Sequence, residues 1–91
     1  MSELFWTETA EEARKKALEF IARSNLDAAL EQLDEINRQT ERLLRFPNLG
    51  RPSRRKGLRD LSINRTRFVV SYRAIGENIQ ILFIRHTSQK S

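Results

Sequence analysis

His86 is the only histidine of the chain, and Arg65, Arg67, Arg73 and Arg85 lie in the same half of the sequence. These side-chain types can act on a phosphodiester. Cleaving RNA through its own 2′-hydroxyl takes a base, an acid and cations that hold the phosphate charge. An imidazole titrates near neutrality and guanidinium groups stay charged, so the two can divide that work. The competing reading of His86 is structural: a strand-end residue hydrogen-bonded to backbone, with the arginines exposed to solvent. Other chemistries find less material. The chain has no cysteine, which removes disulfides, iron–sulfur clusters and thiolate zinc sites. Only Asp60 and Glu77 stand in the C-terminal half to join His86, too few acids for a metal site. Ser71 and Thr87 offer hydroxyls, but nothing in their spacing suggests a nucleophilic triad. No GxxxxGK[ST] or GxGxxG loop is present. No metal and no cofactor are expected.

The second concentration of chemistry is positive charge. The stretch RFPNLGRPSRRKGLRDL, residues 45–61, carries six Arg or Lys side chains against one acid, Asp60, together with both prolines and two of the three glycines. Residues 1–45 hold seven Lys/Arg and ten Asp/Glu, net −3; residues 46–91 hold ten and two, net +8. Such asymmetry points to a binding face in the C-terminal half and to a negatively charged partner. The candidate contact residues are Arg51, Arg54, Arg55, Arg59, Arg65, Arg73 and Arg85. Nucleic acid, an acidic protein and a membrane surface all have the right sign. A membrane span is excluded, because the longest apolar run is Ile81–Ile84. The first residues, MSELFWTETAEEA, have acids early and no apolar core of a signal peptide. The expectation is one soluble cytoplasmic domain over residues 1–91, too small for a deep enclosed active site beside a cofactor domain.

These residues need elements to hold them. Leu4-Phe5-Trp6 reads as an opening strand. Thr9-Ala-Glu-Glu12 fits a capping box, after which Ala10, Ala13, Ala17, Phe20 and Ile21 recur at helical spacing. Ser24-Asn25 breaks this helix and can cap the next. Over residues 26–45, Leu26, Ala29, Leu30, Leu33, Ile36, Leu43 and Leu44 form one stripe that includes polar Thr40, and the stripe is expected to face the core. Pro47 ends the second helix. The period then drops to two: Leu61 and Ile63, next Phe68, Val70 and Tyr72, a turn at Gly76-Glu-Asn78, and Ile79 to Ile84. The last strand is apolar on both faces and should be central, with the opening strand beside it. The expected fold is α+β in the order β-α-α-β-β-β: an antiparallel sheet with a helical hairpin on one face.

Five stretches in this order resemble a known family: Phe5-Trp6-Thr7 with Ala10 soon after, FIARSNLDAA at residues 20–29, LLRFPNLGRPSRRKGLRDL at residues 43–61, FVVSYR at residues 68–73 and IQILFIRHTSQ at residues 79–89. Together they resemble the ParE branch of the RelE/ParE toxin superfamily of type II toxin–antitoxin systems. The family fold has the element order just derived. The resemblance implies a toxin neutralised by a cognate acidic antitoxin in a hetero-oligomer, and two rival activities. RelE-like members cut mRNA on the ribosome; ParE-like members poison DNA gyrase and block replication. The ribonucleases usually carry an arginine just after the aromatic that begins the third strand, where this chain has Phe68-Val69. They also use Arg, Tyr or His near the end of the last strand or the tail, here Arg85 to Ser91, which lacks tyrosine. If the chain were a ribonuclease, Arg67, Arg85 and His86 would be its catalytic set. Gyrase inhibition and growth arrest are the first expectation; the ribosome-dependent endoribonuclease and a non-toxic nucleic-acid-binding module are the alternatives. The antitoxin segment is expected to place acids near Arg59, Arg73 and Arg85.

Overall fold

The computed structural model describes residues 1–87. Strand β1 (Leu4–Trp6) is followed by helices α1 (Glu8–Ser24) and α2 (Leu26–Glu41), a 3-10 turn at Arg42–Leu44, and strands β2 (Arg51–Pro52), β3 (Arg59–Ser62), β4 (Phe68–Ile75) and β5 (Asn78–His86). The strands form one sheet in the order β1-β5-β4-β3-β2. The α+β class, the helical hairpin and the central position of β5 agree with the sequence reading. Two details differ. The sheet is mixed rather than antiparallel, because β1 runs parallel to β5. A parallel pair needs a long connection, and both helices and three strands lie between these two. The sheet also gains β2, read from sequence as part of the basic connection. Pro52 lacks the N–H that an inner strand would need, so this two-residue pairing sits at the edge.

The helix ends show tertiary structure choosing among local options. Thr7, not Thr9, caps α1: its backbone is extended at φ −64° and ψ 159°, and its hydroxyl accepts the Ala10 N–H at 3.1 Å. Thr7 is also tied to β5, donating its N–H to the Ile81 carbonyl at 3.0 Å and its hydroxyl to Leu82 O at 3.2 Å. Those bonds fix where the strand stops and the helix begins, and they leave Thr9 inside the first turn. Asn25 serves both helices. Its N–H closes α1 on Ile21 O, and its side chain accepts the Ala28 N–H at 3.0 Å to open α2. Regular helix ends at Glu41, four residues short of the expected limit, because the Arg45 and Phe46 N–H groups both turn back to Arg42 O ahead of Pro47.

Ala10, Ile36, Leu43, Leu61, Ile63, Phe68, Val70, Tyr72, Ile79 and Ile81 make the core between the hairpin and one sheet face. Trp6 packs half-buried at its edge, with the Arg14 guanidinium 4.0 Å over the ring. Arg14 also donates to Asn37 Oδ1 at 3.0 Å, so one side chain of α1 joins β1 to α2. The stripe of α2 is only partly core. Ala29, Ile36 and Leu43 are buried, whereas Leu26 and Leu30 are mostly exposed. Among the described residues α1 packs on β5 while α2 packs chiefly on α1, an arrangement that leaves Leu26 and Leu30 in the first turns of α2 exposed. Buried Thr40 satisfies its hydroxyl by donating to Ile36 O at 2.7 Å.

Candidate functional site

Alternation along β4 sends Phe68, Val70 and Tyr72 towards the helices and Val69, Ser71 and Arg73 to the opposite, open face. On β5 the core residues Ile79, Ile81 and Ile84 cannot share a face by simple alternation. A bulge resolves the conflict: Tyr72 pairs with Ile81 and Ser71 with Phe83, so Leu82 is the extra residue. The slip keeps Ile84 on the helix side, opposite Val70, and sends Phe83 and Arg85 to the open face. That face then reads in cross-strand rows. The first is Phe5, Gln80, Arg73; the second Phe83, Ser71, Asp60, Arg51; the third Arg85, Val69, Ser62.

Arg51, Arg55, Arg73 and Arg85 come together on this face. Arg51 stands in β2 opposite Asp60, and Asp60 accepts the Ser71 hydroxyl at 2.7 Å. Arg55 lays its guanidinium 4.2 Å over the Phe83 ring, so the β2–β3 loop folds onto the sheet. Exposed Arg54 lies in that same loop. Arg73 donates its Nε–H to Gln80 Oε1 at 2.8 Å. Arg85 is exposed opposite Val69, four residues along β4 from Arg73, or about 13 Å at strand rise. Arg59 and Arg65 lie elsewhere. Arg59 pairs with Tyr72 and donates to Gly50 O at 2.7 Å on the helix side. Arg65, in the β3–β4 turn, approaches Glu35 of α2 at 3.7 Å.

The three residues of the ribonuclease alternative are split by the sheet. His86 pairs with Phe68 and meets its ring edge-on, with centroids 5.0 Å apart, on the helix side. Arg85 leaves β5 on the other face. Arg67 stands just before β4, its carbonyl accepting the Thr87 N–H at 2.7 Å. The tail residues 88–91 lie outside the described residues. Among the described residues no group of His, Cys, Asp or Glu could hold a metal ion, and no helix is long and apolar enough to cross a membrane.

Sequence reasoning missed two apolar features. A groove of about 580 Å³ opens between α1 and the ends of β4 and β5, lined by Ala17, Phe20, Ile21, Phe68, Ile84 and His86, with Arg85 also bordering it. Phe20 is 67 % exposed beside it; its place at the end of the α1 repeat, next to the Ser24-Asn25 break, was the available signal. The second feature is the loop after α2. Fully buried Tyr72 donates its hydroxyl to Pro47 O at 2.8 Å and accepts the Gly50 N–H at 2.8 Å. Burial pushes the Tyr72 phenol above its ordinary pKa; the Gly50 N–H and the Arg59 charge oppose that shift. A Cβ on Gly50 would lie 2.7 Å from a Tyr72 ring carbon and 2.8 Å from Asp60 O, so only glycine allows this approach.

Over residues 4–91 the chain matches the family described as the ParE toxin of type II toxin-antitoxin system, parDE. It is similar to a chain in the solved structure of the chromosomal ParDE TA system from P. aeruginosa. The two are 29 % identical with a TM-score of 0.83, over 94 % of this chain and 96 % of that one. No curated protein matches the chain.

Proposed function

The chain belongs to the ParE toxin family, and from that premise we propose that it is the toxin of a type II toxin–antitoxin pair, that it arrests growth by acting on DNA gyrase in the cytoplasm, and that a cognate acidic antitoxin neutralises it. One observation carries the choice of target. Val69, buried and aliphatic, occupies the centre of the row between Arg85 and Ser62. His86 sits behind the sheet against Phe68, and Asp60 is bonded to Ser71. Among the described residues, a phosphodiester lying on the open face would therefore meet cations and the Ser71-bonded Asp60, with His86 on the other side of the sheet. The imidazole and the arginines are thus not placed to share the proton transfers of RNA cleavage.

The same face suits the antitoxin. Arg73 and Arg85 mark a track about 13 Å long for an extended acidic segment, and Arg85 also borders the apolar groove under Phe20. Apolar antitoxin residues in that groove supply most of the affinity, and an antitoxin disordered when free folds as it binds.

Expression without antitoxin is expected to give filamentous, non-dividing cells, and the purified protein is expected to inhibit supercoiling by purified gyrase. Rapid mRNA cleavage at ribosomal sites with gyrase unaffected would replace this reading with the ribonuclease. Salt-dependent binding to bare nucleic acid without growth arrest would replace it with a plain binding module.

A further inference from the structure

The loop after α2 is built more rigidly than a connection requires. The Phe46 N–H donates to Arg42 O at 2.9 Å and the Leu49 N–H to Phe46 O at 3.0 Å. The buried Tyr72 hydroxyl holds the loop at Pro47 and again at Gly50, and Arg59 grips the Gly50 carbonyl. Between these fixed points Phe46 is 53 % and Leu49 42 % exposed. Two large apolar side chains stand in water on a backbone whose ordering cost is already met by folding. A preorganised apolar projection of this kind lowers the entropy lost on association.

We propose that the tip Phe46–Leu49 is the toxin's contact with its protein target, and that it enters an apolar, acid-rimmed pocket there. The proposal rests on the toxin reading above. Three observations favour this occupant. Arg42 and Arg45 flank the tip, and with it they line one shallow concavity, so an acidic rim would be complementary. Aromatic side chains beside arginine are the composition enriched at protein interfaces. Two cations are too few to hold a nucleic-acid backbone, and the open-face arginines point away, since Tyr72 and Arg59 approach this loop from the helix side. The tip also lies at the far end of the hairpin from Phe20. It follows the C-terminus of α2, whereas the groove lies by the C-terminal half of the antiparallel α1. Antitoxin in the groove and target at the tip therefore use different ends of the molecule.

The test is the double variant Phe46→Ala/Leu49→Ala beside wild type, read four ways: growth arrest on titrated expression, thermal melting, binding of the purified cognate antitoxin, and sedimentation. The variant should need roughly tenfold or more expression to arrest growth, as expected for truncating central contacts. It should also melt within a few degrees of wild type and bind antitoxin unchanged. Tyr72→Phe, which frees the loop but keeps Phe46 and Leu49, should shift the arrest threshold in the same direction. A double variant as toxic as wild type overturns the proposal while leaving the toxin reading intact. Loss of antitoxin binding, or a wild-type dimer that the variant dissolves, overturns it by assigning the tip to another occupant. A wild type that never arrests growth overturns the toxin reading itself, and the proposal with it.

Discussion

Tyr72 and Gly50 show how much a single pair can fix. The phenol has one proton to donate and lone pairs to accept, and both capacities are used inside a fully buried site. Removing the hydroxyl leaves the Gly50 N–H and the Pro47 carbonyl without this partner, so Tyr72→Phe should cost about 1–3 kcal/mol. Gly50→Ala acts by sterics instead, pushing a methyl group against the Tyr72 ring and the Asp60 carbonyl. It should cost about 2 kcal/mol, in the range of overpacked sites. Denaturant midpoints for the two variants check both figures. A Gly50→Ala protein as stable as wild type would mean that the loop stands further from Tyr72 than described.

At the scale of elements, α2 is clamped to the β3–β4 turn by one side chain. Gln39 donates to Asn64 O at 3.0 Å and accepts the Asn64 N–H at 2.8 Å, as a neighbouring strand would. Its amide also donates to Glu35 at 2.8 Å, and Glu35 further accepts from Arg38 and faces Arg65. Arg65 holds the turn at φ 69°, a left-handed conformation that is rare outside glycine. The hydrogen bond from Gln39, and after it Arg38 and Arg65, lower the Glu35 pKa, with desolvation opposing. A carboxylate lowered by folding contributes stability above its unfolded value and loses it as pH falls through the folded one. Wild type should therefore be more stable than Glu35→Gln at pH 7, and the gap should close on acidification below the usual carboxylate range. Melting temperatures of both proteins from pH 7 to pH 3 measure it. A gap that stays constant would make Glu35 a packing residue rather than a charged clamp.

At the scale of the whole molecule, charge and apolar surface are only partly separated among the described residues. The open face carries Arg51, Arg55, Arg73 and Arg85 together with half-exposed Phe5. Larger groups of exposed apolar side chains stand at the two ends of the hairpin, Phe20 with Leu26 and Leu30 at one and Phe46 with Leu49 at the other. Exposed ion pairs contribute only about 0–1 kcal/mol each, so the cations govern encounter rate and register more than affinity. Reversing charge at Arg73 and Arg85 together should slow antitoxin association and flatten its dependence on salt, while truncations in the groove should mainly speed dissociation. Stopped-flow association at low and high salt separates these. An unchanged association rate at both would move the antitoxin off this face.

The element order, the hairpin, the central last strand and the excess of positive charge were legible because each depends on local periodicity or on counting. Residues Phe68, Val70 and Tyr72 alternate whatever surrounds them, and Asn25 caps a helix with its own side chain. The rest depended on groups far apart in the chain. Thr7 displaced Thr9 as the cap because β5 offers it two carbonyls. Leu26 and Leu30 share the stripe of Ile36 yet lie exposed, because periodicity sets a side chain's direction and not whether anything meets it. The seven arginines looked equivalent in sequence. Strand pairing and the bulge at Leu82 placed Arg51, Arg73 and Arg85 on the open face, and the β2–β3 loop laid Arg55 over Phe83 there and left Arg54 exposed. Arg59 turned to Gly50 and Arg65 to Glu35. Whether a charge faces a partner or a neighbour is decided by strand pairing, and strand pairing is settled only when the chain has folded.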